Sequence, residues 1–347
     1  MTQVNLTVPV PAPDEDQQIV RILQVVLFAL SRYAWLAPVG LGIPGNILTI
    51  LVANRQHNRK LSPCIYMAAM AVADMIFLVE VAWFYSTFYV GLLDDIIVFR
   101  QAEILYQFHF YVINSSSVLS GLFLAEMSLD RLIAVALPMK ASSLCTKTRA
   151  RAIVIVTSIV ILVANVHLFY VIKYYYVAGS GTRLVYISHP VSSIVTFTNA
   201  FSITLGSVLP FSLILGCNIF IIISLKRASK RRRAMLDQQE SDGAKEKLQT
   251  RNLTQMLIFV SAAYFVLSLP YRLNYPILKI PQIDKFYIMT KAYWRLRTAV
   301  QSWSVTNLWF LNYAVNFYLY CVGGGKRYRD DTVNVLRRMF LCKNVPN

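Results

Sequence analysis

Long apolar runs alternate with short polar and charged segments along this chain. The runs lie at about residues 33–54, 63–90, 102–136, 150–172, 193–225, 252–275 and 298–321. A helix needs about 20 residues to cross ~30 Å of hydrocarbon, and each run supplies that length. The pattern predicts an all-α membrane protein, a seven-transmembrane helix bundle. Residues 17–32 are amphipathic and extend the first helix. Gly323-Gly324-Gly325 ends the last run, and Lys326–Phe340 has the pattern of a short amphipathic eighth helix. The organisation read from this is a tail and helix extension (1–32), a seven-helix domain (33–325), and an amphipathic helix with its tail (326–347). Between the fourth and fifth runs, residues 173–192 carry Tyr174, Tyr175, Tyr176 and Tyr186 around Gly179-Ser180-Gly181, which predicts a β-hairpin.

Composition supports a membrane class. Of 347 residues, 56% are hydrophobic and 15% charged, too little polar surface to cover a soluble domain. No separate soluble domain and no internal repeat is visible. The net charge of +17 would suit nucleic acid, but its distribution does not. With the N-terminus outside, 23 of the 34 lysines and arginines fall on the cytosolic side. The positive-inside rule therefore predicts a multi-pass membrane protein with its N-terminus outside. Lys230-Arg231-Arg232-Arg233 reads as a basic patch facing membrane lipids or a docking partner, and no nucleic acid is expected. The outer tail carries the glycosylation sequon Asn5-Leu6-Thr7. The sequons at Asn114 and Asn252 fall in or below the membrane and read as chance. Acidic residues precede the first apolar run, so an uncleaved anchor is expected rather than a cleaved leader. None of Cys64, Cys145, Cys217, Cys321 and Cys342 lies in an outer loop, so no extracellular disulfide and no zinc site is expected. Cys342 is a palmitoylation candidate.

The few polar residues inside the runs are the candidate chemistry, because a charge in hydrocarbon is costly unless paired or used. Asp130-Arg131 ends the third run. Asp74 sits in the middle of the second, and Glu80 lies six residues further out. His109, Ile113, Asn114 and Ser117 of the third run share the depth of Glu80. Arg272 follows Pro270 by two residues in the sixth run. It needs a partner, which is either Glu80 or an acceptor on a ligand. Pro210 and Pro270 each free a carbonyl and bend their helix.

In chain order, Gly45-Asn46, Ala73-Asp74, Asp130-Arg131, Pro210, Pro270 and Asn316-x-x-x-Tyr320 resemble the motifs of rhodopsin-like G-protein-coupled receptors. The resemblance covers about residues 30–342. It implies that Asp130, Arg131, Thr250, Asn316 and Tyr320 serve coupling to a heterotrimeric G protein. Asp74, Ser120, Asn312 and Asn316 are implied to converge, either around a sodium ion or as a water network about a protonated carboxyl. Glu80, His109, Ile113, Asn114, Ser117, Tyr271, Arg272, Tyr275 and Thr306 are the implied ligand-binding residues. The chain departs from the family pattern at several points. Leu132 replaces the tyrosine after Asp130-Arg131, and Phe317 replaces a proline. Ser268 replaces the tryptophan before Pro270, leaving its contacts to Tyr264 or Tyr271. Asn218 stands where a tyrosine is common. Tyr106 stands where a disulfide cysteine would be, and the fourth helix has Thr157 and Ser158 near its missing tryptophan.

Ile113 occupies the position of an amine-binding aspartate, which argues against a small amine. The charged outer half instead predicts a receptor for an extracellular peptide, most similar to invertebrate neuropeptide receptors. A chemosensory receptor for small molecules is the alternative. A retinal protein needs a lysine in the last run, and residues 298–321 have none. No nucleophile–base pair, phosphate-cradling loop or metal motif suggests an enzyme.

Overall fold

The structure, a computed structural model, describes residues 14–55, 58, 61–88, 99–171, 173–176, 183–186, 200–201, 203–234, 244–278 and 291–341. Its helices follow the apolar runs. The first comprises Asp14–Arg32 and Leu36–Ala53, joined by a tight turn at 33–35. There Trp35 Nε1 donates to the Arg32 carbonyl at 2.8 Å, which satisfies an acceptor freed by the break. The second is Ser62–Phe88 and the third Phe99–Ala136. The fourth runs Lys147–Ala164 and continues through a 3₁₀ turn into Leu168–Val171. The fifth is Leu209–Ala234 and the sixth Ala244–Leu278. The seventh is Lys291–Asn312 with Asn316–Gly323, and the eighth is Gly325–Leu341. A short helix, Pro138–Leu144, lies between the third and fourth. The antiparallel hairpin is present, pairing Lys173–Tyr176 with Arg183–Tyr186. Its first strand lies against the third helix.

Five helices among the described residues are long and apolar enough to cross a membrane: Gln18–Ala53, Ser62–Thr87, Lys147–Val171, Thr204–Ser224 and Thr254–Asn274. The third and seventh are long enough but more polar. The reason is placement. The third touches the second, fourth, fifth and sixth helices, so its serines and His109 face protein. The sixth and seventh helices also start or end beyond the apolar runs. Residues 276–278 and 291–297, expected in an outer loop, are helical. Charged side chains outside hydrocarbon cost a helix little, so the backbone continues past the apolar limit.

Two helices are bent by different means. Pro210 has no N–H to donate to the carbonyl of Gly206, and the fifth helix widens into a π turn at Thr204–Val208. The seventh breaks at 313–315 although Phe317 stands where the family has proline. The Tyr313 and Ala314 amides reach carbonyls only three residues back. Asn46 Nδ2 donates to the Tyr313 carbonyl at 3.0 Å. An amide from the first helix thus holds the break open in place of a proline. Gly45 makes room beside it, since a Cβ there would stand 3.1 Å from Phe317 Cβ.

The fourth helix faces outward over most of its length. Three hydrogen bonds hold it to the third: Thr157 to Glu126 Oε1 at 2.6 Å, Asn165 to Ser115 at 3.1 Å, and Tyr111 to the Leu162 carbonyl at 3.0 Å. Thr157 therefore makes the cross-helix link near the missing tryptophan, while Ser158 bonds back to Val154 of its own helix. The eighth helix turns away at Gly325, whose φ of 72° suits glycine. It is tied to the foot of the first helix by Asn58 to Asp331 Oδ2 at 2.9 Å and by the Arg55–Asp331 pair at 3.5 Å.

Helices cross closely at Gly42, where a Cβ would overlap Leu78 Cδ1 and stand 2.9 Å from the Ala314 backbone. At Gly40 nothing lies within 4 Å. Gly42→Val should lower the unfolding midpoint and surface level sharply, at a cost of about 1–3 kcal/mol or more. Gly40→Ala should be neutral or stabilising; equal loss in the two variants would show that close approach is not the cause.

Candidate functional site

Besides its links to the fourth helix, four buried polar groupings lie along the third helix, and each takes at least one side chain from it. The end holding Asp130 and Arg131 is called lower here, and the other upper. Uppermost is Glu80 of the second helix, with Oε1 3.1 Å from His109 Nδ1. The imidazole lies flat on Phe84, centroids 3.7 Å apart. Both side chains are buried, so each supplies the other with a partner it cannot obtain from water. Of the two partners considered for Arg272, Glu80 is thereby taken by His109. A partner on the adjacent helix at the same depth takes the carboxylate first.

One layer down, Ser117 joins three helices. Its Oγ accepts from Tyr313 Oη at 2.8 Å and from Arg272 Nη2 at 3.1 Å. The Arg272 guanidinium also lies 5.4 Å from the Trp309 ring and 5.8 Å from that of Tyr271. Tyr271 and Trp309 stack 4.1 Å apart with planes within 4°. Of the two tyrosines left to replace the missing sixth-helix tryptophan, Tyr271 takes this wall. Tyr264 packs below it on Phe211, centroids 4.9 Å apart.

Deeper still, Asp74 is fully buried. Ser120 Oγ donates to its Oδ1 at 2.5 Å and Asn316 Nδ2 to its Oδ2 at 2.7 Å. The second, third and seventh helices meet at this carboxylate. Asn312 is buried one turn above Asn316, but the carboxylate's hydrogen bonds come from Ser120 and Asn316.

At the lower end Arg131 Nη2 donates to Asp130 Oδ2 at 2.7 Å, and Ser62 Oγ donates to the same oxygen at 2.9 Å. Both charged residues are buried, and Arg131 Nε has no partner. The Cys145 thiol donates to the Asp130 carbonyl at 3.4 Å. Cys145 lies in the turn before the fourth helix. Burial, and then the Asp130 carboxylate, push its thiol up to about 11, which keeps it protonated and able to donate. The grouping is a closed clasp, with the guanidinium turned onto its own neighbour.

The remaining expected residues divide. Ile113 is buried in the upper aromatic core. Asn114 and Thr306 bond to carbonyls of their own helices, at 3.0 and 2.7 Å. Tyr320 is fully buried against Tyr328 of the eighth helix and does not join Arg131. Asn316 serves Asp74 rather than the lower clasp. The side chains of Thr250 and Tyr275, and the residues Asn5 and Cys342, lie outside the described residues. Sequence reasoning missed Trp309, Tyr313, Ser62 and Glu126. Trp309, Tyr313 and Asn316 at spacings of four and three share a helix face, and that spacing was the available signal.

Comparison with known proteins agrees with this geometry. The sequence model of the family described as "7 transmembrane receptor (rhodopsin family)" matches residues 45–316. The mouse thyrotropin-releasing hormone receptor is 34% identical over 167 residues, covering 45% of this chain and 35% of that protein. The chicken receptor of the same name is 34% identical over 152 residues, covering 40% and 32%. The human one is 33% identical over 152 residues, covering 40% and 31%. The chain thus spans about a third of the length of the curated relatives it matches. A family match over most of the chain, on a structure whose helices meet at Asp74 and close with Asp130 on Arg131, places this protein among the seven-transmembrane receptors of the rhodopsin family.

Proposed function

We propose that this protein is a plasma-membrane receptor, N-terminus outside, that binds an extracellular peptide and activates a heterotrimeric G protein. The Asp130–Arg131 clasp is the observation that carries the reading. It is a strong pair at the end where the chain's basic residues gather, and it hides the one arginine that a cytosolic partner would need. The basic fifth-helix end, which runs as helix through Lys230–Arg233 to Ala234, adds a docking surface beside lipid headgroups. The relatives' names make them receptors for a releasing hormone, which favours a hormone-like ligand over the chemosensory alternative.

The ligand acts by shifting a population between two packings. Contacts in the upper layers, at Glu80, His109, Ser117, Tyr271 and Arg272, favour one arrangement of the third, fifth, sixth and seventh helices. Pro270 lets the lower half of the sixth helix swing out. Arg131 then leaves Asp130 and meets the G protein. Asp74, Ser120 and Asn316 offer hard oxygen atoms of the type sodium takes, and Asn312 is near enough in sequence to add another. Bound there, a sodium ion would stabilise the resting packing.

A charge-assisted hydrogen bond is worth about 1.5–3 kcal/mol, roughly tenfold or more in an equilibrium or rate. Arg131→Ala should therefore cut peptide-stimulated nucleotide exchange by about that factor while surface expression stays near normal. Unchanged exchange would remove Arg131 from coupling. The stimulus would come from a neuropeptide library screened on expressing cells, and a library without any active member would count against the peptide reading. For the cation, replacing sodium with choline should lower the unfolding midpoint of the purified receptor, and Asp74→Asn should abolish that difference. A sodium effect that survives Asp74→Asn would place the ion elsewhere.

A further inference from the structure

The middle layer has more hydrogen-bond donors than acceptors. Arg272 Nη2 is used on Ser117, but Arg272 Nε is buried without a partner. Trp309 Nε1, which can only donate, is also buried without a partner. The two are close, with the guanidinium carbon 5.4 Å from the indole centroid. The acceptor they share a layer with is already spent. Ser117 Oγ takes one hydrogen bond from Arg272 and one from Tyr313, which uses both of its lone pairs.

Among the described residues the same guanidinium has no counter-ion. The ion pairs among the described residues are Arg55–Asp331, His109–Glu80 and Arg131–Asp130. The other deep carboxylate, Asp74, faces Ser120 and Asn316 one layer below. Aromatic faces attract a cation, but their ring quadrupoles offer about 0.5–2 kcal/mol, less than a carboxylate would give this half-buried side chain. The approach is kept clear from the fifth helix. A Cβ on Gly206, which lies within the π turn at Thr204–Val208, would stand 3.4 Å from Arg272 Nη1. The parallel Tyr271–Trp309 stack forms an apolar wall beside the charge.

We propose that Arg272 and Trp309 form an anion subsite that takes a carboxylate borne next to an apolar group of the ligand. This rests on the receptor reading above and names the ligand chemistry that its pocket selects. The carboxylate lies between the third, sixth and seventh helices, fills the orphan donors and neutralises the guanidinium. Its source is a free peptide C-terminus or an acidic side chain, and the two share this chemistry.

The test uses the full-length purified receptor and two probes that differ in one group, N-acetylphenylalanine and its carboxamide. The carboxylate should give a saturable rise of about 2–4 °C in the unfolding midpoint, as expected for a ligand in excess over its Kd, and the carboxamide none. Arg272→Gln should lose the rise, and Arg272→Lys should keep part of it. Equal shifts by both probes, no shift by either, or a carboxylate shift that survives Arg272→Gln would overturn the proposal. Should Arg272→Gln fail to fold, the comparison of the two probes on the unaltered receptor decides alone. Peptides with free or amidated C-termini, with and without acidic side chains, then locate the carboxylate by nucleotide exchange. A receptor that answers peptides without regard to any carboxylate loses the subsite and keeps the peptide reading. A carboxylate-dependent shift in a receptor that no peptide activates keeps the subsite and loses the peptide reading.

Discussion

Hydrocarbon offers a buried charge nothing, so a charged side chain inside this bundle is stable only where another group answers it. That constraint organises the fold around the third helix. His109, Ser117, Ser120 and the Asp130–Arg131 pair carry the four buried groupings, each joined to a neighbouring element. From His109 to Arg131 the helix rises about 33 Å, close to the ~30 Å hydrocarbon thickness. The groupings therefore form a ladder across the membrane rather than one central site. A change in the partners of one rung is a change in how two helices pack.

The apolar packing between the rungs differs from top to bottom. The upper core is built of large rings, with Phe77 stacked on Tyr313 at 3.8 Å and edge-on to Trp309 at 5.0 Å. Such rings fix orientation and transmit displacement. The lower core contains four buried methionines, Met67, Met70, Met127 and Met256, from the second, third and sixth helices. Methionine is unbranched and repacks at low cost. A stiff upper half over an adaptable lower half suits the proposed role, in which one end senses and the other rearranges. The sixth helix crosses both halves, with Arg272 above Pro270 and Met256 below it.

Much of this was legible in the sequence because the membrane simplifies the reading. Apolar run length located the helices, and tyrosines around a Gly-Ser-Gly turn located the hairpin. Asp74 with Ser120 and Asn316, and Asp130 with Arg131, could be paired because a buried charge has few partners to choose from. What failed depended on helix rotation, which apolar runs do not encode. Glu80 was within reach of both His109 and Arg272, and only the packing decides that it takes His109. Thr157 and Glu126 lie on helices with no local signal that they face each other. With Phe317 in the place of the family's proline, the sequence does not say how the seventh helix bends. The break is held by an amide 267 residues away in sequence. The polar third and seventh helices fall short of a simple hydropathy criterion for the reason that makes them useful, since their side chains face protein and not lipid.

The account turns on the clasp between Asp130 and Arg131 holding the receptor at rest. Ligand-independent nucleotide exchange by a G protein, measured with Asp130→Asn at matched surface expression, addresses this directly. Asparagine keeps the size and the hydrogen bond from Ser62 but removes the charge that retains the guanidinium. A several-fold rise in basal exchange is the result the account requires. Exchange at or below the level of the unaltered receptor would mean that the pair does not restrain activation.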